Sequence, residues 1–496
     1  PVPTWFDEFN PPQQAVELHV VGPQSLVRLL PPLTPFAGAP TVWNWLTSTE
    51  PADFDTIATR QTAVRELVPH ADWRERMSVF ASRVRGRTTS LNGFKGWAAS
   101  VAAESSQPWA ARILAVVTVV AIVLAVSNRI PSAAAMILLA INLATAHRSK
   151  KRIDAILADI ATADRRIHGV ADLLAESAEP TFASAGLNAL QDRMERGRSA
   201  AALRRLESIV SFGDLRFSPM AHAIAQAVVL WDAHVLDALD RWRHAHGAGV
   251  AEWLTALGEL EAHAALATLG YDNPGWTFPD IEPAGRDVIE CSGLAHPMLS
   301  ESTRVTNDVS FGPRGDVLLV TGPNMAGKST LLRAIGLNVL LAQLGAPVCA
   351  SAMRTIRVRL RTSIHAIDAL ESGVSLFMAE LMRVKGIVED SQIASGAPVL
   401  YVVDEMLRGT NSEERHVAVA SVLARLIQAG AIGVVSTHDV ELAREPSLAG
   451  RRHNVHFSAQ FGERDGAPNV SFDYRLQPGP ATGRNAMRLL EVMGLS

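Results

Sequence analysis

Gly322-Pro-Asn-Met-Ala-Gly327-Lys328-Ser329-Thr330 follows directly on the apolar run Val317–Thr321 (VLLVT) and leads into LLRAIGLNVLLAQLG, which reads as a helix. The pattern is G-x-x-x-x-G-K-S in a strand–loop–helix setting. Glycines let main-chain N–H groups wrap a phosphate, and the following helix N-terminus adds positive potential. Gly322, Pro323, Asn324, Met325, Ala326, Gly327 and Thr330 are therefore the expected cradle. Lys328 is expected to neutralise the outer phosphates of a nucleoside triphosphate, and the Ser329 hydroxyl to ligate Mg²⁺.

Two further strand ends complete the pattern. Residues 399–403 (VLYVV) end in Asp404-Glu405, and Ile432–Ser436 (IGVVS) leads to Thr437-His438-Asp439. A carboxylate at an apolar strand end beside a phosphate loop suits Mg²⁺, so Asp404 joins Ser329 as a candidate metal ligand. The acid after it, Glu405, can polarise an attacking water; the plainer reading is a helix-capping acidic pair. His438 at the third strand end reads as a sensor of the γ-phosphate, since ligands bind at the C-terminal ends of such strands. Short β-branched runs alternating with helical segments from about residue 291 predict an α/β domain with a parallel sheet.

TGPNMAGKST, the run 368–380 (DALESGVSLFMAE), DEMLRGTNSEER and STHD together resemble the ATPase domain of the MutS mismatch-repair family. The resemblance covers roughly 291–496, including Ala295-His296-Pro297 and Asn454-Val455-His456. It implies a P-loop ATPase of the ATP-binding-cassette class that binds ATP and Mg²⁺ as a homodimer with composite sites. Lys328, Ser329, Asp404, Glu405 and His438 of one subunit would hold the nucleotide. Ser372 and Gly373 of a second would close over it, with Arg408, Gly409 and Thr410 near the dimer seam. Residues 375–385 read as a helix whose N-terminus would bring that Ser-Gly pair to a phosphate. Val305 and Asn307 align with the adenine-side segment. Upstream, Thr34-Pro35 through Trp45-Leu46 and Arg60-Gln61-x-Ala63-Val64 are similar to the start of the family's helical core, and residues 257–269 to the helix returning to the ATPase.

Composition narrows the remainder. The chain has 496 residues, too many for one core, with Lys+Arg 46 against Asp+Glu 50. A net charge of −4 excludes overall charge as a driver onto nucleic acid or anionic lipid. Two cysteines, Cys291 and Cys349, make neither a disulfide framework nor a zinc cluster, so a reducing compartment is the simplest reading. Residues 113–128 and 130–146 carry no charge except for Arg129 between them, and each extends about 25 Å, a little short of a ~30 Å hydrocarbon core. Trp109 and a snorkelling Arg112 can extend the first. Arg148, Lys150, Lys151 and Arg152 follow, which expects a transmembrane hairpin over 109–147 with cytoplasmic flanks, anchored in the inner or plasma membrane. A hairpin buried in a soluble core is the competing reading, opposed by the scarcity of polar residues.

The expected organisation is thus 1–105, the N-terminal part of the core; 106–150, the hairpin; 151–290, a helical lever region; and 291–496, the ATPase. Residues 16–21 (VELHVV) read as a strand, a helix starts after Asp53, and Ile224, Val228, Trp231, Val235, Leu239 and Trp242 form one helical stripe of core character. No separate mismatch-reading domain is expected, because Phe6-Asp7-Glu8 spells the family's Phe-x-Glu no better than Phe461-Gly462-Glu463 does. Two functions stay open: a dimeric ATPase whose levers open and close around a partner, DNA among them, and a membrane-tethered regulatory or scaffold protein without DNA or mismatch recognition. A transporter is disfavoured by the absence of ionisable residues inside the apolar runs.

Overall fold

A computed structural model describes residues 6, 9–84, 91–100, 108–161, 164–283, 285–364, 376–393, 396–408, 411–464 and 467–481. The chain forms two compact units: Pro1–Pro31, Val42–Ala71 and His263–Ser496 in the first, Pro32–Thr41 and Asp72–Ala262 in the second. The chain enters the first unit three times; positions 105 and 150 lie within the second unit and 290 within the first.

The first unit is built on a six-stranded sheet. Its members are β4 (Val317–Thr321), β6 (Arg359–Ser363), β7 (Val399–Asp404), β8 (Ile432–Ser436), β9 (Arg452–His456) and β12 (Gln477–Pro478), in the order β12-β9-β4-β8-β7-β6. All pairs are parallel except β12 with β9. Every residue of β4, β7 and β8 is buried, as expected for parallel strands covered on both faces. One face, with Leu319, Tyr401, Val403 and Val435, packs on Ile387, Leu423 and Leu426 of the helices Leu376–Gln392 and Ser412–Gln428. The helix Lys328–Gln343 packs against β7 and β8. Gly433 is required by a close approach: a Cβ there would lie 2.1 Å from Tyr401 Cζ.

A second sheet sets β1 (Asp280–Glu282), β2 (Ile289–Leu294), β3 (Asn307–Phe311) and β5 (Ala352–Ile356) in the order β1-β5-β2-β3, and β10 (Ala459–Arg464) and β11 (Ala467–Phe472) form an antiparallel ribbon. The strand expected at 16–21 is absent. Gln13–Glu17 is instead a short helix, and His19 takes φ 58° after it. Tertiary contacts override the alternating pattern: Leu18 fills the notch over Gly336, where a Cβ would lie 2.5 Å from Leu18 Cδ2. The helix expected after Asp53 runs Phe54–Leu67, with the Asp53 carboxylate accepting from Thr56 N at 2.7 Å.

The second unit is helical. The stripe from Ile224 to Trp242 is not one helix: Leu230 adopts φ 54° and divides Pro219–Val229 from Trp231–His246. Val235, Leu239 and Trp242 enter the core, whereas Ile224 is 61% exposed. The expected pair of membrane spans also changes. Pro108–Val126 and Ser132–Ala161 are adjacent helices, but among the described residues only the window Trp109–Val126 is long and apolar enough to cross a bilayer. Pro131 stays outside the second helix, whose apolar part, Ser132–Ala146, is shorter and runs on into charged sequence, so a two-span hairpin is not supported.

A buried acid marks the core of this unit. Glu261 accepts from Thr34 Oγ1 at 2.5 Å and Thr34 N at 3.2 Å, and burial pushes its carboxyl up to about 7. Between the unfolded chain's value near 4.5 and about 7, the folded state holds a proton that the unfolded state has released. Stability therefore falls as pH rises through that window, by of order 3 kcal/mol. In urea denaturation, Glu261→Gln is expected to flatten the loss of stability between pH 5 and pH 7.5, relative to the unaltered chain.

Candidate active site

The site lies at the C-terminal ends of β4, β7 and β8. Register brings them level: Val320 pairs with Ser436, and Ser436 with Asp404. Gly322 turns the chain out of β4 at φ 138°, where a Cβ would lie 2.7 Å from Phe457 O; Gly327, at φ 103°, precedes the helix Lys328–Gln343. Both glycines are thus demanded by geometry.

Around this loop the predicted residues converge. Lys328 Nζ donates to Gly322 O at 2.8 Å and Pro323 O at 3.0 Å, and burial depresses its pKa below the usual lysine range. Ser329 Oγ donates to Asp404 Oδ2 at 2.7 Å, and Ser436 Oγ donates to Asp404 Oδ1. His438 Nε2 faces Glu405 Oε1 at 2.6 Å and Asn324 Oδ1 at 2.7 Å, so two acceptors favour the tautomer with the proton on Nε2. Lys328 Nζ lies 3.3 Å from the same nitrogen. The His438 hydrogen bond, reinforced by the charges of His438, Arg408 and Lys328, holds Glu405 below the usual carboxylate range despite partial burial. Glu405 is thus ionised at neutral pH.

Beside the loop lies a cavity of about 470 Å³, within the range of small-molecule sites. Pro323–Thr330 residues form one wall, and His296, Leu299, Val305, Asn307 and Tyr474 contribute to the others. Val305 and Asn307 therefore both reach the cavity. Asn307 spends its polar atoms on the chain, donating from Nδ2 to Tyr474 O at 3.0 Å and accepting from Leu476 N at 2.6 Å, so its amide shapes the wall. His296, drawn down to about 4 chiefly by burial, is neutral there. Met325, on the phosphate-loop wall of the cavity, is 86% exposed.

The donor set suits a hard cation. Ser329 and Asp404 offer oxygen ligands at one point, and among the described residues no group of three His, Cys, Asp or Glu forms a softer site. Ser372, Gly373, Gly409 and Thr410 lie outside the described residues. Arg408, expected near a dimer seam, pairs within its own chain with Glu405 Oε2 at 3.1 Å and approaches Asp404 Oδ2 at 3.6 Å. Sequence reading assigned no role to Ser436 or Glu380. Glu380 accepts from Leu407 N at 2.6 Å and Arg408 N at 3.1 Å, closing a turn in which Glu405 and Leu407 take φ 51° and 58°. An acid one helix upstream of an unusual turn carries no local signal in the sequence.

Residues 318–495 match the family model of MutS domain V. Over 250 residues the chain is 34% identical to the DNA mismatch repair protein MSH3 of Phaeosphaeria nodorum, covering 48% of this chain and 21% of that protein. It is 32% identical to the DNA mismatch repair protein MutS of Natronomonas pharaonis, over 50% of this chain and 28% of that protein. Against the MutS of Shouchella clausii the identity is 32%, over 51% and 28%. The matched region thus spans about a quarter of the length of these relatives.

Glu380→Ala would leave two main-chain N–H groups of the strained turn without their acceptor. The expected result is a loss of about 1–3 kcal/mol in denaturant titration.

Proposed function

We propose that the chain is a MutS-type ATPase through the domain V matched over residues 318–495, and that it binds ATP with Mg²⁺ and hydrolyses the γ-phosphate at sites completed by a second copy. The observation that carries this reading is the convergence of Lys328, Ser329, Asp404, Glu405 and His438 at three strand ends in register.

Each residue has a role its contacts support. The ammonium of Lys328 rests on two loop carbonyls, and a triphosphate offers it a stronger, charged acceptor. Ser329 and Asp404 would hold Mg²⁺, which would neutralise phosphate charge. His438 donates to Glu405 and Asn324 in the resting arrangement; a γ-phosphate oxygen competes for that proton. Once His438 turns to phosphate, Glu405 is released to orient and deprotonate water. Binding is in this way coupled to arming the base. Ser372 and Gly373 of a second copy would close the site, making a homodimer the working form, and DNA is the partner suggested by what the relatives are named for.

The second reading is a membrane-tethered ATP-dependent regulator. It is favoured by the helix Pro108–Val126, whose window Trp109–Val126 is apolar enough to cross a bilayer and only 17% buried.

Lys328→Ala is expected to abolish ATP binding in equilibrium titration. Glu405→Gln is expected to retain binding, lower turnover by about 10²–10⁴ and accumulate an ATP-bound dimer by light scattering. Turnover unchanged in Glu405→Gln would contradict the proposed base. Duplex binding whose affinity falls with salt would support the DNA-acting form; no duplex binding at low salt, with or without ATP, would leave the tethered regulator.

A further inference from the structure

In the helical unit, one group of helices buries the opposite side chains from those that water selects. On Pro108–Val126 the buried positions include Ala115, Thr118 and Ala121, spaced by three, whereas Val116, Val120 and Val123 are exposed. On the apolar part of the next helix, Ser132–Ala146, Ala135, Asn142 and Ala146 are buried, and Met136, Ile137 and Leu143 are exposed. The helix Pro219–Val229 packs against both and repeats the inversion: Gln226 is buried, while Met220 and Ile224 are exposed. A bundle in water turns its large aliphatic residues inward. Lipid removes that driving force and leaves small residues and inter-helix hydrogen bonds to hold helices together.

The polar contact that holds these three is explicit. Asn142 Nδ2 donates to Thr118 Oγ1 at 3.0 Å and to Ala227 O at 2.6 Å, and Thr118 Oγ1 donates on to Leu114 O at 2.8 Å. One amide therefore ties all three helices. Charged groups are kept to the margins of the group: Arg112 pairs with Asp237 at 2.5 Å, and Asp232 takes His222 and Arg216 at 2.9 and 3.3 Å.

We propose that Pro108–Val126, Ser132–Ala146 and Pro219–Val229 form a single three-helix element in the hydrocarbon of a lipid bilayer, in which Trp109–Val126 is the one long enough to cross among the described residues, the two shorter helices enter without crossing, and Asn142 is the internal clasp. The proposal rests on the membrane-tethered reading and adds a third lipid-facing helix to it. The 11 residues of Pro219–Val229 extend about 16 Å, roughly half the hydrocarbon thickness. The occupant is lipid: exposed aliphatic residues cover about half the circumference of Pro108–Val126 and recur on two neighbours.

Cysteine labelling of the full chain tests this directly. Cys291 and Cys349 are buried, with thiols pushed up to about 12 and about 11, so they contribute little background. Val120→Cys, Ile224→Cys and, as an exposed control, Ser208→Cys are reconstituted in vesicles of zwitterionic and anionic phospholipid and treated with a membrane-impermeant maleimide. An apolar surrounding that raises a thiol pKa by one unit slows such labelling about tenfold. Val120→Cys and Ile224→Cys are expected to react at least about tenfold more slowly than Ser208→Cys, and all three at similar rates in denaturant. A fluorophore attached in denaturant and refolded at 224 should be quenched by lipids carrying nitroxide on their acyl chains. Protection at 120 with full labelling and no quenching at 224 would overturn the third helix while leaving the tether intact. Full labelling at both, with the protein not sedimenting with vesicles, would overturn the tethered reading as well. Protection at 224 without nitroxide quenching would mean a protein contact in place of lipid, and would also overturn the proposal.

Discussion

The Asp404 carboxylate is the constraint on which the site depends. It accepts from Ser329 on the helix after the phosphate loop and from Ser436 on the neighbouring strand, so one side chain locks three elements to one another. Because Asp404 and Ser436 are partners in the β7–β8 register, a slip of one residue would turn Asp404 to the other face and break both bonds. The fully buried sheet beneath prevents that slip. Core packing and chemistry are therefore the same fact seen at different depths.

Around this anchor the remaining groups are held by contacts within the chain. Lys328 is occupied by the carbonyls of its own loop, and Glu405 by His438 and Arg408. A triphosphate would offer Lys328 a charged acceptor in place of neutral carbonyls and would compete with Glu405 for His438 and Arg408. Glu405 is thus ionised and engaged by His438 and Arg408 at once.

Legibility in the sequence followed the range of the forces involved. The strands 317–321 and 432–436 were readable to the residue, because full burial demands unbroken β-branched runs, and the loop was readable because its glycines answer a local steric demand at Gly322 and Gly327. Elements decided by distant contacts were not. Residues 16–21 alternate like a strand, yet Glu17 is fixed by Thr362, Ile364 N and Arg383, more than 300 positions away. The stripe from Ile224 to Trp242 carries no mark of the left-handed Leu230 that breaks it. Glu380 and the coupling of Asn307 to 474–476 were likewise invisible, since no local pattern announces an acceptor contributed from elsewhere in the chain.

Under the proposed function, Asp404 and Ser329 form a cation-dependent triphosphate grip. Ligand that binds only the folded state raises stability by RT ln(1 + [L]/Kd), about 2.7 kcal/mol at a hundredfold excess over Kd. The most direct measurement is the thermal unfolding of the full chain with ATP, with and without Mg²⁺, compared with Asp404→Asn. The account predicts a stabilisation by ATP that requires Mg²⁺ and is lost in the variant. An ATP shift of equal size in EDTA, or one retained in Asp404→Asn, would contradict it.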